Sequence, residues 1–188
     1  AAQQDYQDWS TCWLDEAPEY MATVSVARAL AKVRGNGFVT LESSAKETIA
    51  EAGAKGRGRV SASVRANGRF DVVVHTSHGN PRIVIEVKRH VSRFEQIRKD
   101  VDRVVSVVTR SRATSSISFG ALTFLVWLKD DRTFNASERV RKTIENLTNS
   151  TTEAAGDKVK VVVHHSPVHV EYDRAWSSVA IAIKPRAA

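Results

Sequence analysis

Gly68-Arg-Phe-Asp-Val-Val-Val-His-Thr-Ser-His-Gly-Asn-Pro-Arg-Ile-Val-Ile-Glu-Val-Lys-Arg89 is the stretch whose reading decides the fold. Two runs dense in Val, Ile and Phe read as strands, and His78-Gly79-Asn80-Pro81 between them is turn chemistry. Side chains alternate along a strand, so Ile83, Ile85 and Val87 share one face while Val84, Glu86 and Lys88 share the other. In the first run Phe70, Val72 and Val74 fall together, leaving Asp71, Val73 and His75 opposite. A hairpin centred between His78 and Gly79 brings Asp71 across from Glu86. Facing carboxylates repel, and burying them is costly unless a cation or a proton lies between them. A divalent metal resolves the conflict, because hard cations take carboxylate oxygens. Lys88, one pleat further on the same face, reaches the same place.

Outward from this hairpin, Val60–Arg65 reads as a further strand. Asn67-Gly68 is a strong hairpin signal, so residues 60–88 are expected to form a three-stranded antiparallel meander. After Lys88, Ser92-Arg-Phe-Glu95 has the form of a capping box opening a helix. Phe94, Ile97, Val101, Val104, Val105 and Val108 make its apolar stripe, with Gln96, Lys99, Arg103 and Arg110 lying away from it. Leu122–Leu128 is almost continuously apolar and suits a central strand buried on both faces. On the other side of the hairpin, Pro18-Glu19 starts a helix that runs to about Arg34, with Met21, Val24, Ala27, Leu30 and Ala31 as its stripe. Phe38–Glu42 reads as a short strand and Ser44–Ala52 as a short helix. Asn135–Asn146 is expected to be helical, with Asn135 and Glu138 as a cap pair. Lys158–His164 and Ser177–Ile183 are expected to be strands.

Asp71, fourteen intervening residues and then Glu86-Val87-Lys88 resemble the PD-(D/E)xK motif of the restriction-endonuclease-like nucleases. The flanking Val72-Val73-Val74 and Ile83-Val84-Ile85 match that setting, and Phe70 stands where the literal pattern has proline. The resemblance covers roughly residues 19–129 and implies an α/β fold with an αβββαβ core, a mixed central sheet flanked by helices. Residues 130–188 are then a C-terminal extension with further strands and a helix. Residues 1–18, polar with scattered aromatics, form an N-terminal arm on a single domain spanning 19–188.

The same resemblance implies a Mg²⁺-dependent DNA endonuclease, with Mn²⁺ able to substitute. Asp71, Glu86 and the Val87 carbonyl would hold the metal, Lys88 would orient water or stabilise the transition state, and cleavage would leave a 5′-phosphate and a 3′-hydroxyl. Members of the family often add an acid from the first core helix, here Glu19, with Glu42, Glu47 and Glu51 as alternatives. They often add a polar residue after the Glu-x-Lys strand, here Gln96. The alternative is a nucleic-acid-binding or assembly domain that keeps the fold without the activity.

Composition agrees with a polyanionic partner. The 188 residues carry a net charge of +7 with a pI near 9.8, a balance that favours nucleic acid. Arg57, Arg59, Arg65 and Arg69 precede the Asp, and Arg89, His90, Arg93, Arg98 and Lys99 follow the Glu-x-Lys, as a basic surface for phosphates. The single cysteine, Cys12, allows neither an internal disulfide nor a cysteine zinc site. His75 and His78, and the cluster His164, His165 and His169, lack zinc-site spacing. No apolar run approaches a membrane span and no signal-peptide pattern opens the chain. The expectation is an intracellular, cytoplasmic protein with no membrane partner. A homodimer is expected where both DNA strands are cut.

Overall fold

The first helix, α1 (Glu19–Ala31), starts behind Pro18, whose fixed backbone suits a helix entrance and whose carbonyl accepts from Met21 N–H at 2.9 Å. The computed structural model describes residues 16–54, 62–110 and 113–186, together with Tyr6, Asp8 and Ser10. Within them α1 is followed by β1 (Phe38–Ser44), α2 (Ala45–Glu51), β2 (Arg69–His75), β3 (Pro81–His90), α3 (Arg98–Val108), β4 (Phe119–Lys129) and α4 (Ala136–Ala155). Then come β5 (Val159–His165), β6 (His169–Glu171) and β7 (Arg174–Pro185), and 3-10 turns occupy Ala62–Val64 and Phe94–Gln96. The strands form one mixed sheet in the order β1-β2-β3-β4-β7-β5, with β6 also on β7. β3 and β4 run parallel and the remaining pairs antiparallel. A parallel pair needs a crossover, and α3 supplies it.

Helices cover the sheet unequally. On one face α1 lays Ala27, with Ala22, Val26 and Leu30, against Val72, Val74, Ile83, Ile85 and Val87. On the other, α2, α3 and α4 bury Ile49, Val101, Val104, Val140, Ile144 and Leu147 against Val73, Val84, Leu122, Phe124, Val126 and Ile181. Gly120 lets α3 sit close: a Cβ there would lie 2.5 Å from Val104 Cγ1 and 3.2 Å from Val84 Cγ2. Glycine on β4 therefore sets the depth of the helix that leads away from β3.

Several expectations are corrected. The meander exists, but its first strand is β1, paired to β2 from Phe38↔His75 to Ser44↔Arg69. Residues 62–64 coil into a 3-10 turn instead of a strand, and Arg65 follows in the left-handed region at φ 49°; Val60 lies outside the described residues. Asn67-Gly68 closes this turn, with Gly68 N–H donating to Arg65 O at 2.7 Å. Ser92 caps nothing in the expected way. Gln96 Oε1 accepts from Ser92 N–H and Arg93 N–H at 2.8 and 2.9 Å, and α3 proper begins only at Arg98.

β4 alternates rather than being buried on both sides, with Gly120, Leu122, Phe124 and Val126 under the helices and the other face half-covered. The α1 stripe lies at Ala22, Thr23, Val26, Ala27 and Leu30, rotated from the expected one. α4 outruns its expected end because Thr151 and Ala155 continue the buried line of Val140, Ile144 and Leu147. Its cap is as read: Asn135 Oδ1 accepts from Glu138 N–H at 2.9 Å.

Candidate functional site

Hairpin register places the first two carboxylates. Val72↔Ile85, Val73↔Val84 and Val74↔Ile83 face one another, in the register expected of a turn centred between His78 and Gly79; towards the turn the register shifts to His75↔Pro81, and towards Asp71 the pairing ends at Val72. One residue further, Asp71 replaces the main chain as acceptor: Val87 N–H donates to its Oδ2 at 2.7 Å. β2 thus hands its last ladder bond to a side chain, which fixes the carboxylate beside β3. Glu86, 3% exposed, points from β3 to the α3 side of the sheet.

Two residues that the sequence reading left aside complete the site. Arg103, expected on the polar side of its helix, is 3% exposed. Its Nη1 donates to Glu86 Oε1 at 2.6 Å and to Arg69 O at 2.9 Å, and its Nε donates to Val64 O at 3.0 Å. The guanidinium also lies over the Phe70 ring, 4.3 Å from its centroid. Asp100, one turn earlier and 5% exposed, points at Lys88: Oδ2 is 3.7 Å from Nζ, and Oδ1 is 3.5 Å from Arg65 Nη1. A signal for both was present in the spacing. Asp100, Arg103 and Val107 follow one another at helical intervals beside the stripe of Ile97, Val101, Val104 and Val108, so the buried face is wider than a single apolar line.

Glu19 reaches the cluster from the first residue of α1. Oε1 is 3.8 Å from Lys88 Nζ, and Oε2 accepts from Arg89 N–H at 3.1 Å. Glu42 approaches Asp71 from β1 and takes a left-handed conformation at φ 51°. Glu47 lies in the first turn of α2, where its backbone N–H donates to Oγ of the capping Ser44 at 3.4 Å. Gln96 spends its carbonyl oxygen on the 92–96 turn, so α3 faces the site through Asp100.

Electrostatics follow from crowding. Burial pushes the Asp71 carboxyl above the usual aspartate range, and Glu42 and Glu19 add to it, against the Val87 N–H and Lys88. For Glu86, burial is again the largest cause; the Arg103 guanidinium opposes it, Asp71 and Asp100 reinforce it, and the carboxyl is pushed up to about 8. A short ion pair and a raised carboxyl coexist here because one guanidinium must answer burial and two further carboxylates. Lys88 is the converse. Burial works against its charge, but Asp100, Glu19, Asp71 and Glu86 together raise it above the ordinary lysine value and hold it as an ammonium.

The donor set suits an open Mg²⁺ site. Such ions use one or two carboxylates and complete their shell with water. Asp71 and Glu86 each commit one oxygen, to Val87 N–H and to Arg103, and burial works against the charge of both carboxyls. Among the described residues no three His, Cys, Asp or Glu side chains come together as a set that could hold a metal ion, so the fit rests on the two carboxylates alone.

The basic residues divide. Arg57 and Arg59 lie outside the described residues. Arg69 and Lys99 are exposed beside the cluster. Arg89 turns back to donate from Nη1 to Ala17 O at 3.1 Å, and His90 packs edge-on against Trp127, so both serve the fold. Arg93 lines a separate groove with Leu128, Phe134, Arg139 and Lys142. His75 closes the far end of the hairpin, stacked on Phe38 and bonded to Thr40 Oγ1 and Gly79 O.

No family model, curated protein or solved structure matches the chain. No described helix is long and apolar enough to cross a membrane.

Proposed function

We propose that this protein is a Mg²⁺-dependent DNA endonuclease of the PD-(D/E)xK kind, with Mn²⁺ able to substitute. One observation carries the reading: Asp71, Glu86 and Lys88 converge at the end of the β2–β3 ladder, where Asp71 takes the Val87 N–H in place of a carbonyl. The element order αβββαβ, with a short helix after the first strand, supports the restriction-endonuclease-like core. Asp71 and Glu86 would hold the metal. When bound, it lowers the pKa of a coordinated water and offsets charge on the phosphoryl oxygens.

Lys88 has a defined part in this scheme. A general base needs a depressed pKa, whereas four carboxylates keep this amine protonated. Its role is to orient the nucleophile and offset negative charge on the phosphate. Arg103 holds Glu86 in one position through a planar fork that a lysine could not reproduce. Water attack that breaks the bond from phosphorus to the 3′-oxygen, with a proton delivered to that leaving oxygen, leaves the 5′-phosphate and 3′-hydroxyl that the resemblance implies.

The Glu86–Arg103 ion pair favours a second reading, a nucleic-acid-binding domain in which the guanidinium has taken the place of the metal. Plasmid DNA incubated with Mg²⁺, with EDTA and with the Glu86→Ala variant separates the two. Metal-dependent nicking that disappears in Glu86→Ala is the expected result. Equal cleavage by the variant sinks the assignment of Glu86, and no cleavage of duplex, single-stranded or branched DNA moves the protein to the second reading.

A further inference from the structure

Arg65 combines three properties that a merely structural residue does not need together. Its backbone is left-handed, at φ 49°, a conformation that glycine adopts freely and arginine does not. That geometry is locked by two hydrogen bonds, Arg65 N–H to Ala62 O at 3.1 Å and Gly68 N–H to Arg65 O at 2.7 Å. Its side chain is 45% exposed and has one ion-pair partner among the described residues, Asp100, at 3.5 Å. Nearly half of the side chain is therefore open to solvent, at the rim of the carboxylate cluster.

Asp100 places it there. This carboxylate stands between two cations, 3.7 Å from Lys88 Nζ and 3.5 Å from Arg65 Nη1, and it is itself nearly buried. It lies in the first turn of α3, which fixes its place opposite Lys88 and Arg65. One fixed anion thus sets an ammonium and a guanidinium side by side, the first inside the cluster and the second at its mouth. We infer that Arg65 is a phosphate-contact residue: with Lys88 it forms a two-cation clamp, positioned by Asp100, on the phosphodiester backbone of a nucleic-acid strand crossing between the 62–68 turn and the start of α3. The strained backbone is the means of aiming the side chain along that path.

The clamp rests on the nuclease reading for the placement of the scissile phosphate at Lys88, but binding through Arg65 requires no metal. The test is fluorescence anisotropy of labelled single-stranded and duplex oligonucleotides in EDTA, over a salt series of about 50 to 200 mM. Wild type is compared with Arg65→Gly and with Lys160→Ala, which removes an exposed cation from β5 at the far edge of the sheet. Arg65→Gly is expected to weaken binding about tenfold and to lower the salt slope by about one, with an unchanged or raised Tm. If glycine loosens the turn and lowers the Tm, Arg65→Asn, which also accepts the left-handed backbone, is held to the same standard. Affinity and salt slope no different from Lys160→Ala overturn the clamp, as does a wild type that binds neither oligonucleotide. Arg65-dependent binding without any Mg²⁺-dependent cleavage removes hydrolysis and keeps the clamp. Cleavage with unchanged KM in Arg65→Gly does the reverse.

Discussion

The two arginines on either side of the carboxylate cluster are chemically identical and physically opposite. Arg103 is buried in an ordinary helix, with three acceptors and an aromatic ring around its guanidinium. Arg65 is half exposed on a strained turn, with one ion pair to hold it. The first costs the protein desolvation and returns a fixed Glu86. The second costs backbone strain and leaves its donors open. A charge that is fully enclosed serves geometry, and one that is half exposed, with a single ion-pair partner among the described residues, is available to a ligand.

The largest way to break this contrast is Arg103→Met. It leaves Glu86 Oε1, Arg69 O and Val64 O without their buried donor, at about 1–3 kcal/mol for each acceptor left unsatisfied; chemical denaturation should show a loss of several kcal/mol in total and Mg²⁺-dependent cleavage should fall with it. Next is pH. The Glu86 carboxyl is raised from 4.5 to about 8 on folding, so between those values the folded state holds a proton that the unfolded state has released. Stability from this group is full below the lower value and is lost as pH rises through the upper one, on the order of a few kcal/mol. Thermal melts from pH 5 to 8.5 should show the decline, and Glu86→Gln should flatten it.

A smaller effect is expected from Gly120→Ala. The new Cβ meets Val104 and Val84 and should cost about 1–3 kcal/mol. Because α3 carries both Asp100 and Arg103, a shifted helix should weaken cleavage more than the stability loss alone accounts for. The smallest is Arg65→Gly, whose stability should stay within about 1 kcal/mol of wild type, relief of strain being offset by a more flexible unfolded chain. A loss as large as that of Arg103→Met would erase the distinction between the two arginines.

The acids and Lys88 were legible because strands expose their faces with a period of two, and three charges inside valine and isoleucine runs cannot be hidden. Glu19 was legible as the first acid behind a proline. Arg103 and Asp100 were not, since a charged residue beside a valine stripe reads by default as the solvated side of a helix. The helical spacing of Asp100, Arg103 and Val107 hinted at a wider buried face, and the partners decide it: Glu86 for one, Lys88 and Arg65 for the other. The first meander strand was misplaced for a different reason. Val60, Val64 and the intervening serines imitate a strand, and Asn67-Gly68 invites a local hairpin. The left-handed Arg65 turns the chain instead, and β1 fills the place from further away in sequence.

The bond from Val87 N–H to Asp71 Oδ2 makes that amide a spectroscopic reporter. Ladder amides donate to carbonyls, whose electron density does not change with solution conditions, but the acceptor of Val87, like that of Arg89, is a carboxylate. In an ¹H–¹⁵N spectrum the Val87 resonance will move as Asp71 gains or loses charge, and will move again when a cation is drawn to the opposite oxygen. One backbone proton therefore reads the state of the site from inside the sheet, without substrate and without turnover.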